Sequence, residues 1–318
     1  MTIGKLLLAL TLTLPTCGAF AQFPNKQIKI VVPAPPAGST DILARLIQPV
    51  MQDALKQTVV VENRGGAGGY IGTEYVAKSP ADGYTQLLGG AFSTITASLQ
   101  KQPSYRPGTD LTAVAIMVTV PNILVAGPKL KVNSVAELIA AAKASPGAIN
   151  VGSNGIGTTL HLSAELFKLQ TGTDFTHVSY KGWADCMRAL VSGEIEMMFD
   201  NLSAALPNIN EKKLRAFAVA AHARHRSLPD VPTLSELGVK NAEVSSWFGI
   251  LVPAGTPVEV KEIIGRPLKA LSEQAEFRRN IEQQGMDVEF IGPAEAGKFW
   301  LSEVDKWDKV VKAAKLAQ

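Results

Sequence analysis

IKIVVPAPPAGSTDILARL, residues 28–46, is the stretch on which the fold turns. Ile28, Ile30, Val31 and Val32 make an apolar, β-branched run of strand length. A Pro/Gly loop ending in Ser39-Thr40-Asp41 follows, and Ile42 opens an apolar pattern with a helical period. Strand, tight loop and helix N-terminus in that order leave backbone N–H groups without intrahelical partners, a geometry suited to an anion. The same pattern returns at residues 149–162, INVGSNGIGTTLHL. Two such loops in one chain suggest a carboxylate held between two lobes.

Toward the N-terminus, the fold is expected to begin only after residue 21. Lys5 supplies a positive start, residues 6–15 an apolar run, and Ala19-Phe20-Ala21 an A-x-A cleavage site, so residues 1–21 read as a cleaved signal peptide. Export to the periplasm is the expected consequence. Leu14-Pro15-Thr16-Cys17 is a faint lipoprotein box, in which Pro and Thr fit poorly ahead of the cysteine. Past residue 21 the one cysteine is Cys186, so the fold must rely on its cores and not on disulfides. Residues 22–318 are long enough for two domains. A net charge of +3 with no basic run or basic-aromatic array argues against nucleic acid. No later stretch of about 18 apolar residues predicts a membrane span.

Outward toward the C-terminus, short apolar strands alternate with helical patterns. Strands are expected at 28–32, 58–62 and 84–89, with helices at 41–55 and 70–78. A second series follows: helices 134–144, 159–170 and 183–192, and strands 149–152, 176–179, 195–200 and 214–220. Helices 257–274, 275–284 and 293–315 close the chain. This rhythm predicts an α/β fold with parallel sheets flanked by helices on both faces. Pro49 inside the first helix removes one backbone bond and predicts a kink. With no long linker, no repeat and no low-complexity tract, two strands at 122–126 and 247–253 are the expected crossings between lobes. Lobe one then comprises 22–123 plus 250–318 and lobe two 124–249, with the crossing strands as hinge.

Within the first loop, Pro35 and Pro36 stiffen the approach, Gly38 permits close backbone passage, and Ser39, Thr40 or Asp41 caps the helix. The second loop, residues 152–159, carries three glycines and four polar side chains, more than a simple turn needs. Lys181 at the end of a strand either neutralises an acidic ligand or is a solvated charge. Asp200-Asn201 sits at the carboxyl end of a strand, where an α/β sheet faces its crevice, and reads equally as a helix cap. The glycine run at 65–72 fails the dinucleotide spacing, since Ile71 stands where the third glycine belongs, and reads mainly as structural.

Catalytic readings are poorly supported. Ser153 lacks the glycine two residues earlier that a nucleophile elbow requires. His161 and His177 read as satisfied histidines, and His222 and His225 have no matching acidic or cysteine ligands, so neither a metal site nor a cofactor is expected. Cys186 reads as an inert buried thiol.

PAPPAGSTDILAR (33–45), VVVENRGGAGGYIG (59–72), VAKSPADGYTQLLG (76–89), GSNGIGTTLHLSAELFK (152–168), HVSYKG (177–182), MMFDN (197–201), KLRAFAV (213–219), LPDVPTLSELG (228–238) and PAGTP (253–257) occur in one order. In that order they resemble the extracytoplasmic receptors of tripartite tricarboxylate transporters, the Bug family, over essentially all of the chain after Phe23. The resemblance implies a two-lobed Venus-flytrap binding protein, each lobe a parallel or mixed sheet, that captures an organic carboxylate. It implies delivery to the large and small permease subunits of the transporter by a monomeric receptor that is not an enzyme. Carried over residue by residue, the ligand positions are Pro36, Ala37, Gly38, Ser39, Thr40, Asp41 and Ala91 in lobe one. In lobe two they are Ser153, Asn154, Gly155, Gly157, Thr158, His161, Tyr180, Lys181, Gly182, Asp200 and Asn201.

Three departures bear on the ligand. The family commonly has Phe at 34 and Gly at 37, where this chain has alanine at both. After Gly182 it usually carries a small residue and proline, where this chain has Trp183-Ala184. An aromatic or other dicarboxylate is the expected ligand. The competing readings are a sensor serving a signalling partner, and a periplasmic hydrolase using Ser153 with His161 or His177.

Overall fold

The computed structural model describes residues 23–313 and 316, so the expected signal peptide and Cys17 lie outside the described residues. The first part of the chain forms β1 (Ile28–Val32), α1 (Ser39–Leu55), β2 (Val59–Asn63), a 3-10 turn (Ala67–Gly69), α2 (Tyr70–Ala77), β3 (Thr85–Gly90), α3 (Phe92–Ser98) and α4 (Pro107–Asp110). The long β4 (Leu111–Ala126) leads to α5 (Val135–Ala144), β5 (Asn150–Ser153), α6 (Thr159–Thr171), β6 (Thr176–Ser179), α7 (Trp183–Ser192), β7 (Met197–Asn201), α8 (Leu202–Asn210) and β8 (Arg215–Val219). Last come β9 (Ser245–Pro253), α9 (Val258–Glu273), α10 (Ala275–Gln283), β10 (Asp287–Ile291) and α11 (Pro293–Ala313).

The result is a two-lobed α/β fold, with one sheet per lobe flanked by helices. In the first sheet β1 lies parallel between β2 and β3, and β3, β9 and β4 continue it antiparallel. In the second, β7, β5 and β6 run parallel, and β7 and β8 both pair antiparallel with β4. Each sheet is buried on both faces, by separate clusters of Ile, Val, Leu and aromatic side chains, as doubly covered sheets require. Both sheets are therefore mixed and not purely parallel, because the crossing strands enter antiparallel.

β4 belongs to both sheets. Up to Pro121 it pairs with β9, and from Asn122 it pairs with β7 and β8. Pro121 has no N–H to give a ladder, and it stands where β4 changes partners. The sequence pattern located only the last five residues of this strand and missed its first eleven. It also missed α3, α4, α8 and β10, the last pairing antiparallel with β4. α1 runs through Pro49 as one helix.

Candidate functional site

The carboxyl ends of both sheets face a cavity of about 580 Å³ between the lobes. On the lobe-one side, α1 begins with Gly38 in extended conformation and no side chain capping it. The first intrahelical bond runs from the Ile42 N–H to the Gly38 carbonyl, and the N–H groups of Ser39 and Thr40 bond to no described protein group. Both residues line the cavity with Pro36 and Gly38. Together with the macrodipole of a 17-residue helix, they make an electropositive corner.

Asp41 builds this corner from behind. It is buried and accepts bonds from the Ala37 N–H (3.2 Å), Arg45 Nε (2.9 Å) and Nη2 (3.0 Å), and Asn63 Nδ2 (2.9 Å). Burial alone pushes its carboxyl up, but the Arg45, Asn63 and Ala37 bonds outweigh it and hold the group ionised, below its ordinary value. Ala37 has φ of 74°, a left-handed conformation that costs an alanine about 1 kcal/mol, and the Asp41 bond holds it there. Neither Asp41 nor Ala37 lines the cavity; they shape the loop that does.

The lobe-two loop is built differently. Thr158 caps α6 by accepting the His161 N–H at 3.3 Å. The Gly155 N–H bonds to Ser153 Oγ and the Gly157 N–H to His161 Nδ1, both at 3.3 Å. Asn154, Gly155, Ile156 and Thr158 line the cavity, and Asn154 Oδ1 is a buried acceptor without a partner among the described residues. Ser153, Gly157 and His161 stand behind the loop. Ser153 Oγ lies 2.7 Å from His177 Nε2, and the His177 ring stacks on His161 with centroids 4.2 Å apart. Burial pushes both imidazoles down to about 4, so both are neutral near pH 7. A serine–histidine pair thus exists, but Ser153 is fully buried and off the cavity. Among the described residues no carboxylate bonds to His177. Nor, among them, does any group of three or more His, Cys, Asp or Glu stand ready for a metal ion.

The third wall comes from α7 and α8. Gly182 precedes α7 without a side-chain cap, and Lys181, beside it, is the one charged side chain among the described residues lining the cavity. Tyr180 lines the wall but turns its hydroxyl to Glu194 Oε1, 2.9 Å away. Trp183 lines the cavity and donates its indole N–H to Asp200 Oδ2 at 3.0 Å. Asp200 is fully buried behind that wall, and its other oxygen accepts the Asn201 N–H at 2.8 Å. Burial lifts its carboxyl to about 7, the two N–H bonds opposing the rise. Asn201 faces the cavity floor, where its Nδ2 reaches Asn122 Oδ1 (2.8 Å) and Ser246 Oγ (2.7 Å); Ser246 Oγ also lies 2.6 Å from Thr159 Oγ1. This network ties both crossing strands to α6 beneath the cavity.

The two lobes touch around the cavity. Ser39 Oγ and Ser203 Oγ are 2.6 Å apart. A Cβ on Gly68 would fall 2.3 Å from the Ile156 carbonyl oxygen, and one on Gly182 3.0 Å from Pro35 Cγ. Only glycine lets residue 68 approach the Ile156 backbone so closely, and at residue 182 it leaves room for the Pro35 ring. Twelve of the eighteen expected ligand positions line the cavity; Ala37, Asp41, Ser153, Gly157, His161 and Asp200 support it from behind. Sequence reasoning missed Phe92, Leu99, Thr159, Ser246 and Phe248, and it read residues 66–69 as structural although they form the rim. The glycine run held the usable signal, since it marks a close backbone approach whether or not a nucleotide is involved.

A family model for the tripartite tricarboxylate transporter family receptor matches residues 43–316. This chain belongs to that receptor family. It is 35% identical over 319 residues to the protein BugT of Bordetella pertussis, an alignment covering 98% of each chain. Among solved structures, it resembles Rpa4515 of R. palustris with adipate at 35% identity and a TM-score of 0.87, over 93% of this chain and 99% of that one. It also resembles MatC of Rhodopseudomonas palustris with bound malate, at 29% identity and a TM-score of 0.84, over 91% and 100% respectively. The family is one of solute-binding receptors, and no helix of the described residues is long and apolar enough to cross a membrane.

Proposed function

We propose that this receptor captures an organic carboxylate in the inter-lobe cavity and delivers it to the large and small permease subunits of a tripartite transporter. The observation that carries this reading is the uncapped N-terminus of α1, whose Ser39 and Thr40 N–H groups face a cavity lined by Lys181 and by no acidic side chain among the described residues. A carboxylate there satisfies donors that water otherwise must. Asn154 and Lys181 supply polar contacts from the second lobe. Phe92, Leu99, Trp183 and Phe248 suit an apolar or aromatic body, which favours an aromatic or other dicarboxylate over a small hydroxy acid. Ala34 leaves room at this wall.

Lobe one is 22–123 plus 250–318 and lobe two 124–249, a division supported by the change of β4 partners at Asn122. The receptor works as a periplasmic monomer after removal of residues 1–21, without catalysis. Ligand that touches both lobes favours the closed arrangement, since only differential affinity shifts such an equilibrium. The test is a thermal-shift and calorimetric screen with adipate, malate, citrate, benzoate and terephthalate. One-to-one binding of a carboxylate, a raised Tm and no consumption of ligand are expected. No binding by any of them, or turnover abolished by Ser153→Ala, contradicts the reading.

A further inference from the structure

Asp200 is the buried carboxylate that ligand capture leaves unexplained. It is sealed from solvent one hydrogen bond behind the cavity wall, and its two described bonds come from neutral donors, the Trp183 indole and the Asn201 amide. Among the described residues no cation pairs with it. β4 and β5, which flank β7, carry no ionisable side chain, and neither does α8. From α7 come Asp185 and Arg188, which bond to each other at 2.7 Å, and the Cys186 thiol, pushed well above its ordinary value by burial and so neutral. α6 contributes His161, Glu165 and Lys168, with Lys168 3.4 Å from Glu165. Lys181, before α7, lines the cavity itself. A buried carboxylate held only by neutral dipoles is ionised at a cost, and a second anion nearby raises that cost.

Both residues that bond to Asp200 line the cavity. A ligand carboxylate captured there has only Trp183 and Asn201 between it and Asp200. We propose that Asp200 positions Trp183 against the ligand and takes up a proton when an anion is captured, so that this receptor binds its carboxylate together with a proton. The inference rests on the carboxylate reading above. Asp200 near half-ionisation at neutral pH supports it, since a small added repulsion then moves a measurable fraction of a proton. Trp183 reports on the event. Of the chain's four tryptophans it alone lines the cavity, whereas Trp247 and Trp307 bond to Glu303 and Trp300 to the Pro107 carbonyl.

The experiment is calorimetry on the folded receptor with the tightest binder among adipate, malate, citrate, benzoate and terephthalate, at pH 7.5, in phosphate, HEPES and Tris. The dependence of measured heat on buffer ionisation heat gives the protons taken up. Wild type is expected to take up about half to one proton, with Kd weakening by up to about tenfold per unit between pH 7.5 and 9. Asp200→Asn, which holds the neutral form, should show uptake near zero and a flat pH profile. Trp183→Phe, which removes one donor from the ionised carboxylate, should take up fewer protons at pH 7.5 and lose the ligand-induced change in tryptophan fluorescence; it serves as the decisive variant if Asp200→Asn does not fold. Binding without uptake in wild type, or undiminished uptake in the folded variant, overturns the inference and leaves the carboxylate reading standing. Absence of binding by all five probes removes both.

Discussion

The loop at residues 33–41 and the loop at residues 153–158 look alike in sequence, each a strand end, a glycine-bearing turn and a helix start, yet they spend their backbone donors differently. In the first, no side chain caps α1, and the Ser39 and Thr40 N–H groups are left facing the cavity. In the second, Thr158, Ser153 and His161 take the donors of His161, Gly155 and Gly157. One loop offers hydrogen bonds to an anion. The other takes the Gly155, Gly157 and His161 donors within the loop and leaves only the Thr159 and Leu160 N–H groups of α6 at the cavity wall. A helix N-terminus is an anion site only when its own protein has not already occupied it.

The largest effect expected from this difference belongs to Gly38→Pro. Proline removes the Gly38 N–H and disfavours the left-handed Ala37 before it, so the donor corner is lost. Carboxylate affinity should fall about 100-fold, the worth of a charge-assisted bond, with the urea midpoint of lobe two unchanged; calorimetry and urea titration check both. Gly68→Ala comes next. Its methyl meets the Ile156 carbonyl at 2.3 Å only when the lobes touch, so closure should be penalised and affinity should fall about tenfold, with a larger radius of gyration in X-ray scattering. A mere threefold change would weaken the assignment of the two loops to opposing lobes.

Acid separates the loops further. His161 and His177 are neutral in the fold with values near 4 and take a proton near 6.5 when unfolded, so their contribution is full above pH 6.5 and is lost as pH falls toward 4. Asp41, depressed below its ordinary value, keeps its contribution until pH drops below that range. The amide protection factor, exchange relative to the intrinsic rate at the same pH, should therefore fall several-fold at pH 5 in residues 153–161 and stay near its neutral-pH value in 37–45. The smallest effect is that of Thr158→Ala, which removes the α6 cap. It should cost about 1 kcal/mol of stability and change affinity less than about threefold.

Much of this arrangement is legible in the sequence. The 28–46 and 149–162 units stood out because apolar periodicity changes from strand to helix across a glycine-bearing loop, and those strands and helices formed. β4 was read short because Pro121 interrupts an otherwise continuous apolar run, and a proline inside such a run argues against a central strand. The side on which a polar residue falls was not legible. Asp200 and Asn201 are adjacent at the end of β7, and the alternation of a strand sends one behind the wall and the other into the cavity. Asp41 reads as a first-turn acid whether it points to ligand or to Arg45 and Asn63. Ala37, by contrast, was flagged as a departure where glycine is usual, and its φ of 74° shows what glycine does there.

The most direct test of the contrast between loops is an amide proton–nitrogen NMR titration of the folded receptor with its tightest-binding carboxylate. The Ser39 and Thr40 amides should move strongly downfield as they bond to the ligand, while Gly155 and Gly157, already bonded to Ser153 and His161, should move little. Large downfield shifts at Gly155 and Gly157 with Ser39 and Thr40 unmoved would contradict the account.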